Sequence, residues 1–297
     1  MQMREAIFQW LYEEYLHGRA TETVILSNDF GAQKLDIIRD EFPDHFINCG
    51  ISEQNQIGVG SGLAKFDLIP IFYSIASFYH RCAEQIKVDI AVPNLKSIFL
   101  GVGAGYGYSA DGPTHHSIED LSLFGSFDEV DIVVPISSKS AVDYFKEALA
   151  HRDHPVYLRL DRQDVTDLNK SDSGYHVLKS REGNRGSKGL IVSCGFAGAQ
   201  FIDAIQATDL DLCLVEDFSS VRTEGFKALL SNYKKVVIVE ENVPIGGLGS
   251  KVLREIEFNG REVKSIGLEG RNRFGYGDRV SLLKANGCDP ESVFHYF

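Results

Sequence analysis

Apolar residues at the start of the chain recur at the three- and four-residue spacing of a helix: Ala6, Ile7, Trp10, Leu11 and Tyr15 share one face of Met1 to His17. The pattern then changes period. Thr23 to Ser27 is a short, largely apolar run closed by the polar pair Asn28-Asp29, as in a buried strand with its loop. The alternation repeats. A helix is expected over Ala32 to Glu41, a strand over Phe46 to Asn48, and a helix from Glu53 to Ala64 with Ser52 placed to cap it. That helix carries Gly58, Gly60 and Gly62. Each glycine weakens a helix by about 1 kcal/mol relative to alanine, so several together point to close packing against something flat. Leu68 to Tyr73 reads as a strand, Phe78 to Ala91 as a helix and Ser97 to Val102 as a strand, followed by a glycine-rich loop over 103–114. Strand Asp131 to Pro135, helix Ser140 to Ala150 and strand Val156 to Arg159 close the first half.

Strands alternating with helices imply a mostly parallel, doubly wound sheet, and in such sheets ligands sit beyond the carboxyl ends of the strands. Asp29, Ser52-Glu53 and the 103–114 loop all follow strand ends. A polar stretch from Gln163 to Lys188 reads as a linker. A second α/β unit follows, with strands at Leu190 to Ser193, Leu212 to Glu216 and Val236 to Glu240 and helices at Ala197 to Ala207, Phe226 to Tyr233 and Leu248 to Phe258. The organisation expected is therefore two doubly wound α/β domains, 1–165 and a smaller 188–297, joined by a 166–187 linker.

Composition narrows the partners. A net charge of −12 repels phosphate backbones and anionic lipid, which argues against nucleic acid and membrane surfaces. The five cysteines are scattered, with no CxxC and no His/Cys cluster at metal-ligand spacing, the usage of reduced thiols. The amphipathic N-terminus has no signal-peptide core, and no apolar run approaches the ~20 residues of a membrane span. A soluble cytoplasmic protein is expected.

Three segments carry chemistry. Gly50-Ile51-Ser52-Glu53-Gln54-Asn55 sets a carboxylate at a helix start. Ala76-Ser77-Phe78-Tyr79-His80-Arg81 sets an aromatic and a cation at the next. Ser109-Ala110-Asp111-Gly112-Pro113-Thr114-His115-His116 ends the glycine-rich loop. In this order and spacing they resemble the C-terminal half of transketolase, over nearly the whole chain. The first is similar to the family's G-I-x-E-[HQ]-N segment and the third to its D-G-P-T-H segment. Glu240-Glu241-Asn242 with Gly246-Gly247-Leu248-Gly249-Ser250 is similar to the E-E-x…G-G-L-G-S pattern of its last domain.

The resemblance implies a thiamine-diphosphate enzyme with a pyrimidine-binding domain, and it assigns roles. Glu53 matches the carboxyl that bonds the pyrimidine N1′ and favours the imino tautomer, whose nitrogen takes the thiazolium C2 proton. Taken alone, Glu53 is equally a first-turn glutamate favoured by the helix dipole. Phe78 matches the aromatic stacked on the aminopyrimidine, and Asp29 the aspartate that approaches the thiazolium. Arg81 has a counterpart in the related deoxyxylulose-phosphate synthases; its role stays open. Asp111 and His115 resemble the pair that holds substrate hydroxyls, with His116 able to exchange roles with His115. Arg162 matches an arginine that binds the sugar phosphate, for which guanidinium geometry is suited.

Two departures stand out. The phosphate-binding histidine that the family usually places eight positions before the D-G-P-T-H aspartate is here Gly103. The G-D-G…N motif that holds the diphosphate through Mg²⁺ is not found. Either the chain is a fragment or a separate subunit supplies that domain. The resemblance to split transketolases favours the second and implies an N-terminal subunit that supplies the metal ligands, an α₂β₂ assembly, and transfer of a two-carbon ketol unit from a ketose or ketose phosphate to an aldehyde. Alternatives are a 1-deoxyxylulose-5-phosphate synthase-like enzyme, where Pro113 replaces a glutamine, and a 2-oxo-acid dehydrogenase E1 β-like subunit, which would lack D-G-P-T-H. A non-catalytic scaffold subunit comes last.

Overall fold

The computed structural model describes residues 2–162, 164–180, 188–256, 260–269 and 275–297. In chain order the first elements are α1 (Met3–Leu16), β1 (Thr23–Ser27), α2 (Gln33–Glu41), β2 (Phe46–Asn48), α3 (Glu53–Ala64) and β3 (Ile69–Ile75). A 3₁₀ segment Ala76–Cys82, one turn of α4 (Ala83–Gln85) and a π-helical turn Ile86–Ala91 follow. Then come β4 (Ile98–Val102), α5 (Asp120–Gly125), β5 (Asp131–Val133), α6 (Ser138–His151) and β6 (Val156–Leu160). The second half contains β7 (Tyr175–Leu178), β8 (Gly189–Ser193), α7 (Gly195–Ala199), α8 (Phe201–Ala204), β9 (Leu210–Val215), α9 (Glu224–Ser231), β10 (Lys235–Val239), α10 (Leu248–Glu255), β11 (Glu262–Ile266), α11 (Arg279–Ala285) and α12 (Pro290–Phe294).

The chain divides into two compact units: Met1–Ala104 with Ser126–Lys170, and Gly105–Gly125 with Ser171–Phe297. The first is a six-stranded sheet in the order β2-β1-β3-β4-β6-β5, parallel throughout. Every residue of β1, β3, β4 and β6 is buried, as expected of strands covered on both faces. The amphipathic α1 buries Met3, Ala6, Ile7, Phe8, Leu11 and Tyr15. Its Phe8 meets Tyr73 edge to face at 5.0 Å, and Trp10 meets Phe145 of α6 at 5.8 Å. The expected flat packing of the glycine-rich helix holds at one position only. A Cβ on Gly60 would lie 2.2 Å from the Phe72 ring, whereas Gly58 and Gly62 have nothing within 4 Å.

The second unit has the order β11-β10-β8-β9-β7, parallel except for β7. Strand β7 lies inside the stretch that reads as a linker. It pairs antiparallel with β9, with its Tyr175 ring 5.3 Å from Phe226 and His176 Nε2 3.0 Å from the Glu216 carboxylate. Its four residues, Tyr175-His176-Val177-Leu178, are hidden by the polar sequence on either side, and as a sheet edge they are only half-buried. The remainder of that stretch at 181–187, Gln163, and the end of the predicted helix at Glu257 and Phe258 lie outside the described residues. The helix expected from Phe78 is instead a succession of 3₁₀, α and π turns. The helix expected over Ala197 to Ala207 is likewise broken into α7, α8 and a 3₁₀ turn Ile205–Ala207. Among the described residues no helix is long and apolar enough to cross a membrane.

Candidate active site

In the first unit all strands run in parallel, so the residues that follow them lie along one edge of the sheet. Asp29 follows β1, Glu53 follows β2, Phe78 and Arg81 follow β3, and Arg162 follows β6.

Glu53 opens α3 and is 4 % exposed. Ser52 is the N-cap residue, but its hydroxyl donates to the Cys49 carbonyl (2.6 Å) rather than capping the helix. The helix is held instead by Gln56, one turn later and fully buried. Its Nε2 donates to the Leu26 carbonyl of β1 (2.7 Å) and reaches that of Tyr73 in β3 (3.3 Å), while its Oε1 accepts from Asn28 (2.9 Å). Gln56 escaped the sequence reading; a polar residue on the buried face three positions after Glu53 was the available signal.

Glu53 Oε2 is ion-paired with Arg81 Nε at 3.0 Å, and Oε1 has no hydrogen-bond partner among the described residues. The 3₁₀ segment explains why Arg81 arrives there with Phe78. Three residues per turn stack i and i+3 on one side. Tyr79 fixes the segment from below, fully buried with its hydroxyl 2.9 and 3.1 Å from the Phe72 and Leu100 carbonyls. Phe78 is half-buried, Arg81 exposed. Beneath them, burial pushes the Cys82 thiol up to about 12, and the nearby Glu53 charge adds to the effect.

Asp29 is exposed and sits in the left-handed region at φ 56. Asn48 at the end of β2 steadies it, accepting from the Asp29 N–H (3.1 Å) and from the Gly50 N–H (2.9 Å) on the same side-chain oxygen. Arg162 is exposed, and its backbone N–H donates to the buried Asp161 carboxylate (2.7 Å). Gly103, where the family's histidine was expected, adopts φ 86 and donates to the Leu160 carbonyl (3.0 Å).

Asp111, His115 and His116 fall in the second unit, on the 105–125 segment. Asp111 is exposed, with its N–H on the Tyr108 carbonyl (3.0 Å). His115 is half-buried, with Nδ1 2.9 Å from the Thr114 hydroxyl. His116 is 2 % exposed, its Nε2 3.3 Å from the Ser109 carbonyl and its ring against Tyr106 at 4.9 Å, edge to face. The two adjacent histidines thus occupy different environments. Among the described residues, no group of three or more His, Cys, Asp or Glu is placed to hold a metal ion.

Burial pushes the His116 imidazole below its ordinary pKa, only partly opposed by the Ser109 carbonyl. An unfolded histidine titrates near about 6.5. Below that pH the unfolded chain takes up a proton that the fold resists, so this residue's contribution to stability falls as pH falls. The denaturation midpoint is expected to drop between about pH 7 and 5, and His116→Gln to flatten part of that slope. An identical slope in the variant would show that His116 does not couple to acid.

Residues 1–167 match the family model "Transketolase, pyrimidine binding domain". The chain belongs to the transketolase family. It is 30 % identical over 273 residues to an apulose-4-phosphate transketolase subunit of Phocaeicola vulgatus, covering 89 % of this chain and 86 % of that one. It is 27 % identical over 270 residues to a 1-deoxy-D-xylulose-5-phosphate synthase of Thermotoga sp., covering 87 % of this chain but 43 % of the synthase. Among solved structures, "Split gene transketolase, inactive beta4 tetramer" superposes with a TM-score of 0.78 at 27 % identity, over 99 % of this chain and 96 % of that one.

Proposed function

We propose that this chain is the C-terminal subunit of a split transketolase and transfers a two-carbon ketol unit from a ketose phosphate to an aldehyde in the cytoplasm. It would do so with thiamine diphosphate and a separate N-terminal subunit in an α₂β₂ assembly. The observation that carries this reading is the Glu53 carboxylate: buried at a helix start, held on Oε2 by Arg81, and with Oε1 lacking a hydrogen-bond partner among the described residues. That remaining oxygen can share a proton with a ring nitrogen of an aminopyrimidine, so the residues present fit the cofactor. When bound, thiamine diphosphate supplies the electron sink for cleavage of the ketose C2–C3 bond.

The chain's own groups then have distinct tasks. Glu53 holds a proton at the pyrimidine N1′. Phe78 orients the pyrimidine ring, a stacking contact of about 1 kcal/mol. Asp29 would serve as the carboxylate on the thiazolium side, and Arg162 would take the sugar phosphate through guanidinium geometry. Asp111 and His115 hold substrate hydroxyls. The burial of His116 leaves His115 as the member of that pair with accessible surface. Mg²⁺ and its ligands are assigned to the partner. Gly103 in place of a phosphate-binding histidine favours a sugar other than the ordinary pentose phosphates. The relatives named as subunits of apulose-4-phosphate transketolase support a phosphorylated substrate of that kind.

Arg81, shared with the deoxyxylulose-phosphate synthases, favours a second reading in which a 2-oxo acid is the donor. One assay separates the two. This chain is mixed with candidate N-terminal subunits, Mg²⁺ and thiamine diphosphate, and offered either ketose phosphates or pyruvate with an aldehyde acceptor. Ketol transfer only in the mixture is expected, in keeping with the structural relative described as an inactive β-only tetramer. Activity from this chain alone overturns the split-enzyme reading, and carbon dioxide release from pyruvate establishes the second.

A further inference from the structure

The 105–125 segment carries Asp111 and His115, yet it belongs to the second unit rather than to the sheet it leaves. What holds it there is a charged anchor. The Glu241 carboxylate, 2 % exposed, accepts from the Tyr106 backbone N–H at 2.9 Å. Arg279 grips the same carboxylate with two donors, Nε on Oε1 at 2.8 Å and Nη2 on Oε2 at 2.7 Å. The guanidinium is itself seated 4.0 Å over the Phe196 ring. Gly105 is glycine for two reasons that meet at this point: its φ is +57, and a Cβ would lie 2.3 Å from the Glu241 carboxyl carbon.

The following residues hold the far end of the same segment. Val243 N–H donates to the Ile118 carbonyl (2.8 Å), Asn242 Nδ2 to the Ser122 hydroxyl (3.3 Å), and the Ser122 hydroxyl to the Ile245 carbonyl. A short antiparallel bridge between Gly105 and Ser117 closes the loop (3.0 and 2.8 Å). Asp111 and His115 hang between these two clamps.

We propose that Glu241, locked by Arg279, is a positioning residue: it fixes the loop that presents Asp111 and His115 to the substrate. This proposal rests on the functional reading above. It also assigns a task to the second unit, to set the geometry of a binding loop. A buried ion pair contributes little net stability, because desolvation offsets the attraction, but bidentate geometry leaves few orientations open. Without the anchor the loop remains attached at 117–122 and loses its fixed start.

Two measurements test it. Hydrogen exchange on the full chain compares wild type with Glu241→Ala, Glu241→Gln and Arg279→Lys. The double variant Glu241→Gln/Arg279→Met removes both buried charges and keeps the test open should the single variants misfold. Exchange at the Tyr106 amide is expected to rise about tenfold or more in Glu241→Ala with β8 to β10 unchanged, and to rise less in Arg279→Lys, which keeps the Glu241 acceptor. In the reconstituted complex, KM for the ketose is expected to rise about tenfold in Glu241→Ala, while kcat and the thiamine-diphosphate Kd stay within about twofold. Unchanged Tyr106 exchange in a folded variant, or an unchanged KM, overturns the proposal. An inactive wild-type complex is a different result: it sinks the functional reading, while exchange at Tyr106 still decides the anchor.

Discussion

Glu53→Gln is expected to lower kcat for ketol transfer by about a hundred- to ten-thousand-fold in the reconstituted complex, the range for removing a positioned acid–base group. Glutamine keeps the shape of the side chain and can still contact a ring nitrogen, but it has no proton to exchange. The fold should tolerate the change. The helix that carries residue 53 is held by Gln56 on two strands, and the Arg81 partner lost by the substitution is 65 % exposed. An ion pair with one solvated member contributes little. Thiamine-diphosphate affinity should therefore change less than kcat. A variant that retains wild-type kcat would remove Glu53 from the mechanism, whatever the family likeness.

Glu240→Ala is expected to cost about 3 kcal/mol of unfolding free energy, on the basis of two buried N–H groups losing a charged acceptor. Glu240 is fully buried, and its carboxylate accepts from the Leu248 N–H (2.8 Å) and the Gly249 N–H (2.9 Å) at the start of α10. A Cβ on Gly247 would lie 1.9 Å from the same carboxylate, so the E-E…G-G-L-G pattern is a carboxylate wrapped by glycines. Denaturant titration reads the loss. Glu240→Gln keeps one acceptor and should lose less. Equal losses from alanine and glutamine would mean that charge, rather than hydrogen bonding, holds the helix start.

The adjacent glutamates thus have different tasks. Glu240 closes a helix inside its own unit, while Glu241 reaches a loop 135 residues away in the chain. The sequence pattern that links them to the family does not distinguish those tasks.

Much of the architecture was legible without coordinates. The boundaries of β1, β2 and α3 follow directly from where apolar runs stop and polar loop residues begin. The parallel order follows from strand–helix alternation. Because a parallel sheet points every strand's carboxyl end the same way, the sequence also placed Asp29, Ser52-Glu53 and the start of the 103–114 loop just past strand ends. Local periodicity is short-range information, and these features are short-range.

The tertiary structure decided the rest. Whether the segment after β3 winds as an α-helix or as 3₁₀ and π turns depends on Tyr79 bonding two strand carbonyls, which no helical pattern reports. The half-buried edge strand β7 is only four residues long within a polar stretch and becomes a strand only by pairing with β9. The division between His115 and His116, identical neighbours in sequence, is made by burial against Tyr106. The loop of Asp111 and His115 joins the second unit through one carboxylate and one guanidinium far along the chain. Hydrophobic pattern specifies which face of an element is buried. Which distant polar groups meet once it is buried is set only by the packing of the elements that carry them.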